Sequence, residues 1–281
     1  MTRLYYEIIR DIPFSLSELD IRLQQSTGCD LMNLAALTAN LPPAAVATKL
    51  GNCSAAVVPI TSGEGVITGF ANAVAAVLQH IGLQAGITRR CDVAGFGEAF
   101  GSKFDVVFAA DDHKFLAFNL KTLKVVDNAQ ATAVGFVRAL AAAAELKSGG
   151  LYNREVLVLG LGPIGVNAVK ELKKLGADIW VFDTDTARME EFAGQYVGVK
   201  AARGIGEAIK GIDYVLDATP AAGIIGAEMI GPATVISCPG VPHGLTPEAG
   251  EKIGSRFIHD NLALGVATMA VQSILAAGID S

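Results

Sequence analysis

The chain has 281 residues, 51% of them apolar and 18% charged, with a formal net charge of −6. That length suits two domains, each able to bury a core. The absence of a basic run argues against nucleic acid as a partner. The four cysteines have no Cys-x-x-Cys spacing and no histidine at ligand distance, which argues against a zinc site or a disulfide framework and for reduced thiols in a cytoplasmic protein.

Residues 1–28 read as helix interrupted at Pro13, and Tyr5, Glu7, Arg10 and Asp11 break up any signal peptide. Ser15-Leu16-Ser17-Glu18 has capping-box form and predicts a helix restarting near residue 15, running to about 26 and ended by Gly28. Asp30 is the expected cap of a short helix to residue 37, which Pro42-Pro43 stops. Residues 55–60 read as a strand. The loop Thr61-Ser62-Gly63-Glu64-Gly65 and a helix over 67–80 follow. This junction resembles an anion site, with hydroxyls beside helix N–H groups. It lacks the Lys-Ser/Thr ending of an ATP loop, and a plain strand-to-helix turn is the alternative. Residues 65–88 carry no formal charge, but Asn72, Gln79, His80, Gly82 and Gln84 argue against a membrane span.

A short strand over 84–88, a helix over 92–101 and a strand over 105–110 come next, the last ending in Asp111-Asp112-His113. Residues 115–120 and 123–126 read as a hairpin, and the Ala-rich stretch 130–147 as a helix. Ser148-Gly149-Gly150 reads as a linker, dividing an N-terminal domain (1–148) from a C-terminal one (149–281).

The second domain opens on a strand over 156–159. Gly160, Gly162 and Gly165 then fit G-x-G-x-x-G, Pro163 stands at the first turn of a helix with Ile164 beside it, and a second strand over 179–182 ends in Asp183, with Thr184 next. In such a unit the first glycine allows the tight turn, the second lets the backbone approach a pyrophosphate, and the third lets helix and strand pack closely. Asp183 stands about 20 residues on, where an acid holds the ribose hydroxyls and repels a 2′-phosphate, so the expected cofactor is NAD. An empty Rossmann-like domain is the alternative. Further strands end at Thr219-Pro220 and at Cys238-Pro239-Gly240, and would flank the nicotinamide side; Cys238 reads as a small buried residue. A final apolar helix over 264–277 is expected to pack back on the first domain. The fold class is thus α/β, a C-terminal Rossmann-like domain plus a smaller N-terminal α/β domain, with a substrate cleft expected between them.

Asp111 and Asp112, if buried together, would split their pKa values, one acting as base and one as electrostatic partner; they also suit a cationic amine. The alternative is a turn with a solvated acid pair.

Val58-Pro59-Ile60-Thr61-Ser62-Gly63-Glu64-Gly65 resembles the V-P-V-T-S-G-N-G stretch of the pyrrolysine biosynthesis dehydrogenase family, with Glu64 where the family has Asn. Ala110-Asp111-Asp112 with Phe115-Leu116-Ala117 and Asn119-Leu120 resembles its A-D-D-x-x-F-L-A-x-N-L. Val156 to Gly165, Ala218-Thr219-Pro220, Pro239-Gly240-Val241-Pro242 and Gly265-Val266-Ala267-Thr268-Met269 match further segments. The first 26 residues match poorly. The resemblance implies NAD-dependent oxidation of L-lysine-Nε-3R-methyl-D-ornithine, loss of ammonia and closure of the pyrroline ring. It implies Leu4, Ile60, Ser62, Phe70, Asp111 and Asn128 as substrate contacts, Asp111 as the catalytic proton acceptor and orienter, and Gly265 among the cofactor contacts; Leu4 would come from an N-terminal helix folded over the cleft.

The runner-up is another two-domain NAD-dependent amino-acid dehydrogenase, of the shikimate or methylene-tetrahydrofolate type. Those usually carry a lysine motif in the first domain that Lys49, Lys103 and Lys114 do not form. A non-enzymatic NAD-sensing module is the third reading. The apolar helices near 134–146 and 266–275 are candidates for internal packing or for pairing in a homodimer.

Overall fold

The structure is a computed structural model that describes residues 4–39 and 41–275. Helices α1 (Tyr6–Ile9), α2 (Ile12–Thr27), α3 (Leu31–Ala36) and α4 (Pro43–Gly51) lead into β1 (Ser54–Val58). They are followed by α5 (Phe70–His80), β2 (Gln84–Ile87), α6 (Asp92–Gly101), β3 (Val106–Ala110), β4 (Phe115–Asn119), β5 (Val125–Asp127) and α7 (Asn128–Ser148). The rest of the chain forms β6 (Glu155–Leu159), α8 (Pro163–Lys174), β7 (Asp178–Phe182), α9 (Thr186–Gln195), β8 (Val199–Ala201), α10 (Ile205–Gly211), β9 (Tyr214–Asp217), β10 (Val235–Cys238), α11 (Pro247–Ile253), β11 (Phe257–His259) and α12 (Ala263–Leu275).

Two helices differ from expectation through proline chemistry. Pro13 stands inside the first turn of α2, where its missing N–H breaks no bond, so the helix starts at Ile12 rather than at residue 15. Ser15 to Glu18 is therefore helix interior. Pro42-Pro43 stops one helix and also starts another: Pro43 is the first residue of α4, a helix not among those expected. Asp30 caps α3 as expected, accepting the Asn33 N–H at 2.8 Å. Residues 276 and 277 of the expected last helix lie outside the described residues.

The chain forms two compact units, and they divide differently from a boundary at 148/149. The first holds residues 1–21, 30–135 and 262–281; the second holds 22–29 and 136–261. The Ala-rich α7 runs without a break through residue 135, so neither sequence nor backbone marks the change there.

The first unit is built on a five-stranded sheet ordered β2-β1-β3-β4-β5. Its first three strands are parallel, and the hairpin of β4 and β5 adds antiparallel strands at one edge. Residues 55–58 and 106–109 are buried throughout, as befits parallel strands covered on both faces. Ala56, Val58, Ala99, Val107 and Ala109 form one core cluster, with Ile60, Phe96 and Phe118 against it. Helix α12 belongs to this unit and packs on α3, α4 and α5.

The second unit carries a six-stranded, wholly parallel sheet ordered β11-β10-β9-β6-β7-β8. Counted from β6 this is the 3-2-1-4-5-6 order of a doubly wound nucleotide-binding fold, with its switch point between β6 and β9. Leu157, Leu159, Val215 and Ile236 form its centre with Ile209, Ile225 and Ile253. Among the described residues no helix is long and apolar enough to cross a membrane.

Candidate active site

The C-terminal end of β6 places the nucleotide loop. Gly160 has φ +85°, a left-handed conformation that suits glycine, and its N–H donates to the Phe182 carbonyl at 2.8 Å. A Cβ on Gly165 would stand 1.8 Å from the Gly160 oxygen, so the first turn of α8 lies directly on the loop. Gly162 is the N-cap of α8; no side chain caps that turn, and a Cβ there would meet nothing within 4 Å. An uncapped helix start with open space where a Gly162 side chain would stand fits a pyrophosphate. Pro163 is exposed and Ile164 half-buried.

Asp183 ends β7 and is buried. Its carboxylate accepts the Leu161 N–H at 2.7 Å, the Asp185 N–H at 3.0 Å and the Arg188 guanidinium at 2.9 Å to each oxygen. Burial pushes its pKa up, but these donors together hold it below the ordinary aspartate range. Asp183 therefore fixes the glycine loop as well as standing where a ribose diol would be received. Sequence alone does not single out Arg188; its place five residues after the strand-end acid is the only local signal for this pairing. Thr184 is exposed.

Across the switch point, Asp217 ends β9 fully buried. It accepts the Thr219 N–H at 3.1 Å and hydroxyl at 2.7 Å, the Gly244 N–H at 3.0 Å and the Cys238 thiol at 3.4 Å. One carboxylate thus fastens the turn at Thr219-Pro220 to the segment that follows β10, and brings Thr219, Pro239 and Gly240 to one rim. A Cβ on Gly240 would stand 2.1 Å from the Thr219 oxygen. Burial and Asp217 push the Cys238 thiol well above its ordinary value, so it acts as a hydrogen-bond donor, in keeping with a small buried residue. His259 shares a hydrogen bond with the Cys238 carbonyl at 2.8 Å, and burial and that same His259 hold His243 toward its neutral form.

The first unit presents the acid pair at the end of β3, and the two acids do different work. Asp111 is exposed, and its Oδ1 accepts the Lys114 and His113 N–H groups at 2.7 and 2.8 Å, closing its own turn. Those two bonds hold its pKa below the ordinary value. Asp112 turns to the loop after β1, where its Oδ2 accepts the Glu64 N–H at 2.8 Å. The expected buried dyad is therefore absent, because each carboxylate has its own backbone donors. Nor do the N–H groups after β1 form the expected anion site. Thr61 donates its N–H and hydroxyl to Asp92, so the chain itself supplies the anion, and α5 begins only at Phe70, beyond the loop.

The remaining expected contacts are spread over this unit. Ser62 is exposed on the loop and Ile60 packs on the core cluster at its base. Phe70 opens α5 with its ring edge-on to Phe115 at 5.3 Å. Asn128 opens α7, its amide 3.2 Å from the Met269 sulfur of α12. Leu4 is half-buried just before α1. Gly265, expected at the cofactor, lies in α12 of the first unit; a Cβ there would stand 2.5 Å from the Thr132 hydroxyl, so its missing side chain serves helix packing.

With this geometry in view, residues 9–126 match the model of the N-terminal domain of pyrrolysine biosynthesis protein PylD. That match and the curated relatives below make the chain similar to the PylD family. Residues 129–231 match the C-terminal domain of alanine dehydrogenase/PNT. A curated pyrrolysine synthase of Methanosarcina acetivorans is 29% identical over 96% of this chain and 98% of its own length. That of Methanosarcina barkeri is 29% identical over 92% and 93%. Two solved structures share the fold: quinate dehydrogenase from Corynebacterium glutamicum in complex with NAD, with a TM-score of 0.52 and 14% identity over 79% of this chain and 93% of that one, and shikimate dehydrogenase from Aquifex aeolicus, with a TM-score of 0.52 and 13% identity over 79% and 92%. Together these likenesses support an oxidoreductase of the nicotinamide-dependent kind.

Proposed function

We propose that the protein oxidises L-lysine-Nε-3R-methyl-D-ornithine with NAD, releasing ammonia and closing the pyrroline ring of pyrrolysine. The observation that carries this reading is the near full-length likeness to two pyrrolysine synthases. It is joined to a nucleotide unit whose strand-end acid is Asp183 and a first unit whose exposed acid is Asp111. An ionised Asp183 favours a ribose diol over a 2′-phosphate, which supports NAD over NADP.

When bound, NAD supplies the acceptor for the hydride that leaves the carbon bearing the ornithine side-chain amine. The chain supplies binding, orientation and charge. Asp111, held ionised by its own turn, is a weak base and a good anchor. In this reading it pairs with the substrate's ammonium, orients the amine as it loses its proton, and stabilises the developing iminium. Water then replaces the nitrogen, ammonia departs, and the aldehyde condenses with the α-amine with loss of water. Ser62, Ile60, Phe70, Asn128 and Leu4 are the proposed substrate contacts. The proposed cofactor contacts are Gly160, Gly162, Pro163, Ile164, Gly165, Asp183, Thr184, Thr219, Pro220 and Pro239.

The test is NADH formation by the purified protein with NAD and the synthetic substrate, with mass spectrometry following the loss of ammonia and two hydrogens. Turnover that disappears in Asp111→Ala while NADH still binds is the expected result. NADH binding without turnover would sink the reading and favour another amine substrate or a sensor.

A further inference from the structure

We propose that Asp92 and Asp112 are positioning residues, which fix the Ser62 loop by occupying its backbone N–H groups from two other segments of the first unit. The inference deepens the proposed function, and rests on it, in taking this loop as the one that meets substrate.

Asp92 accepts the Thr61 N–H at 2.7 Å and the Thr61 hydroxyl, and the Ser62 N–H also lies against it. Asp112 accepts the Glu64 N–H from the far side of the loop. Successive donors of the loop thus end on carboxylates 31 and 48 residues away in sequence. Such N–H groups otherwise draw substrate carboxylates or phosphates. With aspartates in place, the loop offers a hydroxyl among negative charges, a face suited to a cationic amine.

The backbone is arranged to deliver these two side chains. Asp92 has φ +52° at the head of α6, a conformation costly for a residue with a Cβ and tolerated best by Asn and Asp. It is held there on a firm base. Its own N–H donates to the Pro59 carbonyl at 2.9 Å, and Glu98 one helical turn and a half later takes the Arg89 and Arg90 N–H groups at 3.1 and 3.0 Å. On the other side Gly63 has φ +73°, and a Cβ there would stand 2.0 Å from the Asp112 Oδ2. Glycine would relieve the strain at position 92 but remove the carboxylate; strain kept for the sake of a side chain is characteristic of functional positions.

The experiment compares wild type, Asp92→Gly, Asp92→Asn and Asp112→Asn in the full chain. Glycine keeps the left-handed backbone and deletes the acceptor. It should leave Tm within about 3 °C of wild type and NADH affinity unchanged. Amide exchange at Thr61 and Ser62 should speed up about tenfold or more, and kcat/KM for the lysine–methylornithine substrate should fall by about the same factor. Asparagine, which tolerates the backbone and still accepts one N–H, should recover much of both. Asp112→Asn should speed exchange at Glu64. Native exchange rates at Thr61 and Ser62 in Asp92→Gly would overturn the proposal. So would unchanged kcat/KM, or a Tm loss of many degrees with full activity per folded molecule, the mark of a purely structural residue. Absence of turnover in the wild type would instead overturn the functional reading; the exchange rates then decide alone whether the carboxylates hold the loop.

Discussion

Two glycine-rich loops follow buried parallel strands in this chain, one after β1 and one after β6, and they use their backbone donors in opposite ways. After β6, the N–H groups at the head of α8 are left uncapped, and Asp183 takes only the Leu161 N–H at the loop's margin. After β1, Asp92 and Asp112 fill the loop's donors, and the helix starts several residues further on. The first arrangement leaves its helix start uncapped; the second already contains two anions. A strand–glycine–helix junction therefore indicates an anion site only when the chain does not supply the anion itself.

The sharpest way to break this comparison is Gly165→Ala. A Cβ forced to 1.8 Å from the Gly160 oxygen must displace the loop or the helix, at about 1–3 kcal/mol or more. NADH binding, followed by fluorescence, should be lost. Gly63→Ala is its counterpart in the first unit, where left-handed backbone and the Asp112 contact combine at about 1–2 kcal/mol. It should lower kcat/KM and leave NADH affinity intact, which calorimetry checks.

Asp183→Asn probes the acid that closes the glycine loop on the nucleotide side. Losing the charge that receives Leu161, Asp185 and Arg188 should weaken NADH binding about tenfold and narrow the preference over NADPH. Equal affinities for NADH and NADPH in the wild type would refute the proposed cofactor choice.

Acid should separate the units with the smallest effect. Among the carboxyl groups of the described residues, those of Asp92, Glu98, Asp105 and Asp111 in the first unit have lowered pKa values, and in the second that of Asp183 alone. A carboxyl whose folded pKa is lowered contributes stability above its unfolded pKa, near 4, and that contribution is lost as pH falls through the folded value. Hydrogen exchange measured as pH drops below about 4 should show first-unit amides losing protection before those of the second.

Much of the second unit was legible because its signals are local. The strand, three glycines, Pro163 and Asp183 lie within 28 consecutive residues, and each acts on its near neighbours. The clamp on Ser62 was not legible, because Asp92 reads as an ordinary first-turn acid and its partner stands 31 residues earlier. The roles of Asp111 and Asp112 depended on which way two adjacent side chains turn, which spacing does not encode. Asp217 reads only as the last residue of a strand, because one of its partners, Gly244, stands 27 residues on, and the change of unit inside α7 is hidden in an Ala-rich run.

The first unit is discontinuous in sequence: residues 30–135 form its sheet, and α12 is added only after residues 136–261 have been made. As the chain leaves the ribosome, α3, with its buried Leu31 and Leu34, and α5 must wait for α12 to pack on them. The second unit, apart from the short segment 22–29, is synthesised in one stretch and can close first. The unit made earlier is thus completed later, and during that interval its uncovered helices are the part of the nascent protein most in need of a chaperone.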